Sequence, residues 1–461
     1  MSFRSAEQGL ALKAVLEGQT PLVVVLPTGG GKSLLFMAPG CLADAGVTIV
    51  VAPFRALVDD LVGRMKKARI DCLEWQHGEV NAAAVVVVSA DIAASWSFLG
   101  YASLLQQKGH LRRVVIDECH LTFTSSDYRP KLARLRQLRA LPCQMVLLTA
   151  TLPPALENEL GESMLVRCAR YIRAATVRRN IRYTVQQCGR GALLETAVSV
   201  CRRQERRLSS GSSGSSGGDR WKGVIYCRSR EQCEAVASEL GCGHYHAGLA
   251  DRGSRVSVWL STGGWIVATT ALGTGVDYPG IVFVLHVGMP YGMIDFAQES
   301  GRAGRGGEAV DSMVLVEDGE AQRRPEYELT LDESAMAGFV LSDRCRRGVM
   351  SLYLDGKQTN CTTAAVGAEG EDMDMALCDR CGEGVAEWQT SQAETAEEWQ
   401  KVRMVLDELA DGCAACWVTQ DGELAHLHDW QSCSAVTQLS EAACKEFQRL
   451  ITYEIDSHSC M

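Results

Sequence analysis

Two short strings in this chain contain the residue types that bind and hydrolyse a nucleoside triphosphate. The first, LPTGGGKS, is rich in glycine and ends in Lys32 and Ser33. Glycine lets backbone N–H groups turn toward an anion, the lysine reaches the outer phosphates, and the serine hydroxyl can ligate Mg²⁺. The second, DECH, follows an apolar run and offers Asp117 as a Mg²⁺ ligand and Glu118 to orient the attacking water. In this order, the two strings predict an ATP-hydrolysing motor.

The residues around the first string distinguish a phosphate site from an ordinary glycine turn. The strict pattern has glycine where this chain has Leu26, but the run 22–26 reads as a buried strand and 33–36 as the start of a helix. A strand, a loop and a helix N-terminus in this order are what a phosphate site requires. The predicted phosphate and Mg²⁺ contacts are Thr28, Gly29, Gly30, Gly31, Lys32, Ser33 and Asp117.

Length and composition limit the class of protein. A chain of 461 residues is long enough for two to four domains. No apolar stretch approaches the roughly 18 residues of a membrane span, and the start of the chain does not read as a signal segment. Nineteen cysteines without such a signal predict reduced thiols, some of them metal-bound, in a cytosolic or nuclear compartment. The net charge of −10 hides an arginine-rich segment at 167–207, which could bind phosphates, and an acidic one at 367–400.

The apolar runs predict an α/β fold with two parallel sheets in tandem. Short Val/Ile/Leu-rich runs alternate with helical stretches, which is typical of a parallel sheet covered by helices. The segment Ser209–Gly218 is a flexible exposed loop by composition and lies within the second unit. The predicted strands are 22–26, 47–52, 85–89, 113–117 and 145–149 in the first unit, and 181–185, 222–227, 265–269 and 281–287 in the second.

Seven strings resemble, in order, the motifs of superfamily 2 helicases and, within that superfamily, of the RecQ family. The resemblance extends over residues 3–381, and fungal RecQ-like helicases are the nearest type. It implies two RecA-like lobes, an adenine contact from Gln8, further contacts from His120 and Asp277, and a nucleic-acid backbone contact from Arg55. The strings are FRSAEQ (3–8), VAPFRAL (51–57), LTATL (148–152), VIYCRSR (224–230), YHAGL (245–249), ATTALGTGVD (268–277) and QESGRAGRGG (298–307).

The last of these strings supplies two arginines to the predicted site. Arg302 and Arg305 are three residues apart, so on one helical face both could point at the γ-phosphate from the second lobe. Closure of the lobes on ATP and their relaxation after hydrolysis would then move a nucleic-acid strand.

The loop after the DECH string departs from the RecQ pattern. The family has an aromatic-rich loop there that senses single-stranded DNA, whereas segment 121–130 is one residue shorter and contains no tryptophan. Tyr128 and Arg129 match the end of that loop and are predicted nucleic-acid contacts. The change leaves open a translocase, DNA- or RNA-directed, that does not separate strands. A DNA-binding or strand-annealing protein is a third alternative.

Cysteines near the end of the resemblance have the spacing of a structural zinc site. Cys345, Cys361, Cys378 and Cys381 resemble the RecQ zinc-binding module, with an acidic loop inserted between the second and third ligands. The alternative is a set of scattered buried thiols. A second Cys₃His site could form from Cys413, Cys416, His426 or His428, and Cys433.

Together these observations predict an ATP-dependent DNA helicase with ATP, Mg²⁺ and Zn²⁺ as cofactors and single-stranded and forked DNA as partners. The resemblance implies 3′ to 5′ movement and, in a eukaryote, a nuclear location. The chain could be a fragment or a reduced family member. The predicted domains are a first lobe at 1–170, a second lobe at 171–338, a zinc module at 339–385 and a cysteine-containing segment at 386–461.

Overall fold

The computed structural model contains two parallel β-sheets, which confirms the predicted fold class. Among the described helices, none is both long and apolar enough to cross a membrane. The structure describes residues 3–42, 44–121, 135–210, 221–273, 278–361 and 376–382.

The first sheet has seven strands in the order β3-β4-β2-β5-β6-β1-β7, and all neighbouring pairs are parallel. Successive residues of β1 alternate between two apolar clusters: Val23 and Val25 belong to one, and Leu22 and Val24 belong to the other, on the opposite side of the strand. A strand buried on both faces reads as a continuous apolar run, which is why it could be predicted. The strands are β1 Leu22–Val25, β2 Val47–Ala52, β3 Cys72–Glu74, β4 Val85–Ser89, β5 Leu111–Ile116, β6 Gln144–Thr149 and β7 Arg170–Arg173, and the helices are α1 Ala6–Leu16, α2 Leu34–Met37, α3 Arg55–Lys67, α4 Ala90–Ala93, α5 Trp96–Gln107 and α6 Glu157–Ser163.

The second sheet has six parallel strands in the order β10-β11-β9-β12-β13-β8. Two helices follow it, Leu331–Leu341 (α11) and Arg346–Asp355 (α12), and α12 lies within the cysteine-rich segment, directly after Cys345. The strands are β8 Ile181–Cys188, β9 Lys222–Cys227, β10 Gly243–Tyr245, β11 Gly264–Ala268, β12 Ile281–Val287 and β13 Val310–Glu317, and the helices are α7 Leu193–Ser210, α8 Arg230–Leu240, α9 Arg252–Thr262, α10 Met293–Ser300, α11 Leu331–Leu341 and α12 Arg346–Asp355.

Within the described residues there are thirteen strands, of which nine lie where the sequence predicted them; β3, β7, β10 and β13 were not predicted. Strands β3 and β10 have three residues each, β7 is bounded by arginines, and the apolar run of β13 is only four residues long, between Ser312 and Glu317. Helix α7 continues through Ser210, so the predicted flexible loop does not begin at Ser209. The rest of that loop lies outside the described residues.

Candidate functional site

The phosphate loop lies at the carboxyl end of β1, in the strand–loop–helix context that the sequence predicted. Its backbone requires glycine, because Gly29 and Gly31 have φ values of 82° and 79°. A Cβ atom on Gly31 would also clash with the Gln8 side chain. Gly30 donates its N–H to the Pro27 carbonyl at 2.7 Å and so closes the turn. The following helix α2 has only four residues and passes into a 3₁₀ turn at Pro39–Cys41.

Lys32 lies between the phosphate loop and the acidic string. Its Nζ donates to the Leu26 carbonyl at 3.4 Å and lies 3.9 Å from Glu118 Oε1. The lysine side chain is only 12% exposed, so its charge acts within the site rather than in bulk solvent.

The two acids follow the last residue of β5 and differ in their electrostatics. Asp117 accepts the Glu118 N–H at 3.0 Å, and Glu118 has a positive φ of 50°. Burial, and then the charge of Glu118, raise the pKa of Asp117 to about 7. Burial acts in the same direction on Glu118, but Lys32 and His120 outweigh it and lower the pKa of Glu118 to about 2. A divalent cation at Asp117 would reverse the effect of burial by favouring its carboxylate form.

A hydrogen-bond bridge joins the first lobe to the second through His120. On the first-lobe side, His120 Nδ1 lies 3.0 Å from Thr149 Oγ1. From the second lobe, the Gln298 amide contacts His120 Nε2 at 2.7 Å and Thr151 Oγ1 at 3.0 Å. Sequence analysis assigned no role to Gln298, although it begins the string that contains the two arginines.

This network also assigns the tautomer of His120. The Thr149 hydroxyl donates to the Thr151 carbonyl at 2.9 Å, so its oxygen is left to accept from His120 Nδ1–H. With Nδ1 as the donor, Nε2 of the neutral ring accepts from the Gln298 amide. His120 therefore links Gln298 of the second lobe to Thr149 of the LTATL string by two hydrogen bonds.

The prediction that Arg302 and Arg305 lie on one helical face is wrong. Helix α10 ends at Ser300, and both arginines lie in the loop that follows it. Gly301 is the C-cap of that helix, and Gly304, between the two arginines, has a φ of 63°, so the pair cannot share one helical turn. The two arginines are therefore held by loop contacts rather than by helix geometry.

The arginine loop, residues 301–307, lies against the phosphate loop. A Cβ placed on Gly29 would be 3.7 Å from Arg305 Cγ, and one placed on Gly301 would be 3.3 Å from Thr28 Oγ1. Arg302 is buried. The structure thus brings the predicted arginines of the second lobe to the phosphate loop of the first.

A cavity of about 870 Å³ connects these groups. Both lobes line it, as expected for a nucleotide held between them. Asp277 lies outside the described residues. The predicted site residues that line the cavity are Gln8, Thr28, Gly29, Gly31, Lys32, Ser33, Asp117, Glu118, His120, Arg302 and Arg305.

Gln8 reaches this cavity from the first turns of α1. Its Nε2 donates to the Gly31 carbonyl at 3.1 Å, and its Oε1 accepts the Arg4 N–H at 2.8 Å. An amide carries a second hydrogen and a second acceptor lone pair, so both remain for a ligand edge. The Arg4 guanidinium also donates to the Gly29 carbonyl. Gln8 therefore tethers the segment before α1 to the phosphate loop.

One of the three predicted nucleic-acid contacts lies within the described residues. Arg55 begins α3, and its side chain is 56% exposed. It donates to Glu74 at 3.2 Å and lies 3.3 Å from Asp59, so part of its charge is compensated within the protein. Tyr128 and Arg129 lie outside the described residues.

The four predicted zinc ligands come together. The sulfur atoms of Cys345, Cys361, Cys378 and Cys381 all lie within 4.8 Å of one another. Cys345 Sγ is 3.6 Å from Cys361 Sγ and 3.9 Å from Cys378 Sγ. A tetrahedral zinc with Zn–S bonds of about 2.3 Å places its sulfurs about 3.8 Å apart, so the cluster fits this metal.

Hydrogen-bond donors from the protein reach two of the four sulfurs. Arg347 Nε donates to Cys361 Sγ at 3.4 Å, and the Cys361 N–H donates to Cys345 Sγ at 3.3 Å. The second predicted site, with Cys413, Cys416, His426 or His428 and Cys433, lies outside the described residues.

A second group with metal-ligand residue types is explained by hydrogen bonds. Glu234, His244 and His246 lie close together beside β10. Nδ1 of His246 accepts the Gly248 N–H at 3.2 Å, so Nε2 carries the proton and donates to Glu234 at 3.0 Å. Both ring nitrogens of His246 are thus used within the protein.

Comparisons of sequence agree with the motif order. A sequence model of the DEAD/DEAH box helicase matches residues 5–158, and one of the helicase conserved C-terminal domain matches residues 216–307. RecQ-like DNA helicase blm-1 of Caenorhabditis elegans is 30% identical over 66% of this chain and 32% of its own length. ATP-dependent DNA helicase Q5 of Mus musculus is 32% identical over 66% of this chain and 33% of its own. ATP-dependent helicase SGS1 of Saccharomyces cerevisiae is 28% identical over 64% and 21%.

Solved structures share the fold at low sequence identity. DEAD-box helicase Mss116, bound to single-stranded RNA and a nucleotide analogue, has a TM-score of 0.54 and 17% identity over 69% of this chain and 71% of its own. Helicase MrfA, bound to DNA, has a TM-score of 0.53 and 19% identity over 68% and 48%. These likenesses identify two RecA-like lobes.

The sequence relatives indicate which family of helicases the chain resembles. Several are RecQ helicases, and their matches cover about two thirds of this chain. The chain spans about a third of the length of the first of these relatives. They come from nematodes, rodents, a frog and yeasts, so the fungal placement stays a prediction. Over its two lobes the chain is therefore similar to RecQ DNA helicases, and it matches the DEAD/DEAH box helicase and helicase conserved C-terminal domain models.

Proposed function

We propose that this chain is an ATP-dependent DNA helicase that moves along single-stranded DNA, 3′ to 5′, and opens forked duplexes. The observation that carries the proposal is the single cavity lined by Lys32, Asp117 and Glu118 from the first lobe and by Arg302 and Arg305 from the second. A nucleotide there would contact both lobes, so its hydrolysis would change how they are held together. The relatives named as RecQ-like DNA helicases support DNA as the nucleic acid.

The proposed reaction is mainly positioning and charge neutralisation. Lys32 and the phosphate loop bind the phosphates of Mg²⁺·ATP, and Ser33 and Asp117 hold the ion. Glu118, kept ionised by Lys32 and His120, orients the attacking water. Arg302 and Arg305 stabilise the charge that develops on the γ-phosphate. Gln8 recognises the adenine edge, and Asp277 is a further nucleotide contact.

Closure would be transmitted to DNA by the bridge across the cleft. Gln298 of the second lobe makes hydrogen bonds to His120 and Thr151 of the first lobe. These two bonds would form only in the closed arrangement of the lobes. Each lobe then grips the DNA backbone, and the first-lobe grips include Arg55, Tyr128 and Arg129. Alternating closure and relaxation shift the two grips relative to each other.

We also propose domain bounds for the whole chain, a zinc module and a cellular location. The lobes are residues 1–170 and 171–338, followed by a zinc module at 339–385 and a segment of unassigned role at 386–461. Zinc would be held by the four cysteine thiolates, where it cross-links the segment as a structural ion. We place the protein in the nucleus, in DNA repair or recombination.

The test is the ATPase rate without nucleic acid, with single-stranded DNA and with RNA, using Lys32→Ala as the blank. The proposal expects strong stimulation by DNA and strand separation of a fork with a 3′ tail but not of one with only a 5′ tail. Stimulation by RNA alone, or hydrolysis without strand separation, would replace it with an RNA-directed motor or a translocase. Strand annealing that persists in Lys32→Ala would replace it with an annealing protein.

A further inference from the structure

The linker between β7 and β8 holds the arginine loop. The Arg178 guanidinium donates to the Gly301 carbonyl at 3.2 Å and also to the Gly304 carbonyl. Nδ2 of Asn180 donates to the Gly304 carbonyl at 2.8 Å and to the Glu308 carbonyl at 2.7 Å. Two side chains from this linker therefore fix the backbone on both sides of the first arginine of the loop.

Helix α12, which follows Cys345, holds the same linker from the other side. Arg347 is buried and donates to the Arg178 carbonyl and, at 2.9 Å, to the Ile181 carbonyl. At the other end of the helix, Asp355 accepts from the Thr176 N–H at 3.1 Å and from its hydroxyl at 2.6 Å. The linker is thus tied to the cysteine-rich segment at two points and to the arginine loop at two others.

We propose that Arg178 and Asn180 are positioning residues for the arginine loop, and that α12 holds them in place. This rests on the proposed ATPase function, because Arg302 and Arg305 act on the nucleotide there. It adds a specific role for the cysteine module: through α12 and the linker, that module helps set the turnover of a site in the cleft.

The linker supports the loop where its backbone leaves the helical path. The N–H groups of Arg302 and Ala303 still make turn hydrogen bonds to the end of α10, at 3.3 and 3.2 Å, whereas Gly304 has a positive φ and its carbonyl accepts from the linker side chains. A Cβ on Gly304 would clash with Asn180, which shows how closely the linker packs on the loop. A planar guanidinium can hold two carbonyls at once, whereas an ammonium cannot reproduce that fork. Misplacing a catalytic group by about 1 Å can cost about 100-fold in rate.

The first experiment compares Arg178→Lys and Arg178→Ala with Arg179→Ala in the full chain. Arg179 is the exposed neighbour, so its removal matches the loss of charge without touching the loop. We expect kcat for DNA-stimulated hydrolysis to fall roughly 10- to 100-fold in both Arg178 variants. The affinity for a fluorescent ATP analogue should stay within about twofold of wild type, because the phosphate loop is intact. Added guanidinium should restore part of the rate of Arg178→Ala only.

A second experiment asks whether Arg178 acts through the loop. In an Arg302→Ala, Arg305→Ala background, adding Arg178→Ala should cause no further loss of kcat, since residues that act as a unit are not additive. Thr176→Val removes one hydroxyl contact to Asp355 and should lower kcat by about fivefold. A full additional loss in that background, or a raised KM with unchanged kcat, would overturn the inference. If wild type hydrolyses ATP while the Arg178 variants keep its kcat, only the inference fails; if wild type does not hydrolyse ATP, the proposed function fails first.

Discussion

Replacing Gln298 with alanine should uncouple the two lobes more than it weakens nucleotide binding. The amide of Gln298 makes two hydrogen bonds across the cleft, 2.7 Å to His120 and 3.0 Å to Thr151. A hydrogen bond of this kind contributes about 0.5–1.5 kcal/mol net, so the pair contributes about 1–3 kcal/mol to the closed arrangement. That energy corresponds to about 5- to 150-fold in the closed-to-open ratio.

The assay is steady-state ATP hydrolysis as a function of single-stranded DNA concentration. Because the closed form is the one that brings the arginines to the nucleotide, we expect DNA-stimulated kcat to fall by about tenfold in Gln298→Ala. The affinity for a non-hydrolysable ATP analogue should change less, since Lys32 and the phosphate loop remain. The exposed Gln322, on the second lobe, provides the matched control Gln322→Ala.

A double-mutant cycle with His120→Ala tests the reasoning directly. If the Gln298 contact acts through the histidine, the two losses of activation free energy should fall short of additivity by about 1 kcal/mol. Losses that add within about 0.5 kcal/mol would refute the bridge. So would a Gln298→Ala protein whose DNA-stimulated kcat equals that of the Gln322→Ala control.

Arg305, the buried carboxyl of Asp295 and the four-cysteine cluster can each be tested separately. Arg305→Ala should lower DNA-stimulated kcat on the order of 10³-fold, measured by steady-state hydrolysis, with little change in binding of a fluorescent ATP analogue. Burial, and then the charge of Glu299, raise the pKa of Asp295 to about 8. Between about pH 4 and 8 the Asp295 carboxyl is therefore protonated in the folded protein and ionised in the unfolded chain. Denaturant titrations from pH 5 to 8 should therefore show wild type losing stability relative to Asp295→Asn, by up to about 1.4 kcal/mol per pH unit. Freshly purified protein should contain zinc by metal analysis, and zinc chelation or Cys378→Ser, but not Cys168→Ser at an exposed cysteine, should lower solubility or DNA affinity.

Local pattern predicted the interior strands apart from β13, and of the four strands at the sheet edges it predicted only β8. Strands β2 and β4 are buried on both faces, so their sequences are nearly continuous apolar runs, and their bounds are those predicted. Strands β3, β7 and β10 lie at sheet edges and have three or four residues. Their side chains face partly exposed surroundings, which removes the apolar signal on which the prediction depends.

Some parts of the candidate site could be predicted from neighbouring residues, whereas others depend on contacts between residues far apart in the sequence. The phosphate loop and the acidic string follow buried strands directly, so their neighbours in sequence were enough to predict them. The bridge from Gln298 to His120 spans 178 positions and the contact from Arg178 to Gly301 spans 123, and no local periodicity encodes either. The arginine pair was misassigned to a helix because a spacing of three fits a helix, whereas the helix ends at Ser300 and Gly304, between the arginines, has a positive φ.

For the four cysteines of the predicted zinc site, the sequence predicted the ligands but not the contacts that attach the cluster to the rest of the fold. Its spacing predicted the ligands because four sulfurs suit one tetrahedral ion regardless of the length of chain between them. Spacing could not predict where the cluster attaches. The attachment depends on two arginines next to Cys345: Arg346 pairs with Asp379 at 3.0 Å, and Arg347 donates to the Arg178 carbonyl in the linker between β7 and β8.

The cysteine-rich segment attaches at an edge of the second sheet. Strand β8 lies at the edge of the second sheet, and an open edge exposes unpaired backbone groups that can recruit other chains. Along the first part of β8 three of these groups are bonded: the Asp379 N–H donates to the Tyr183 carbonyl at 3.1 Å, the Val185 N–H donates to the Asp379 carboxylate at 3.2 Å, and Arg347 donates to the Ile181 carbonyl. Because the segment that covers this edge includes two cysteines of the quartet, a bound ion would protect the sheet from aggregation and brace the linker at the same time. Loss of the ion should therefore reduce solubility and ATP turnover together.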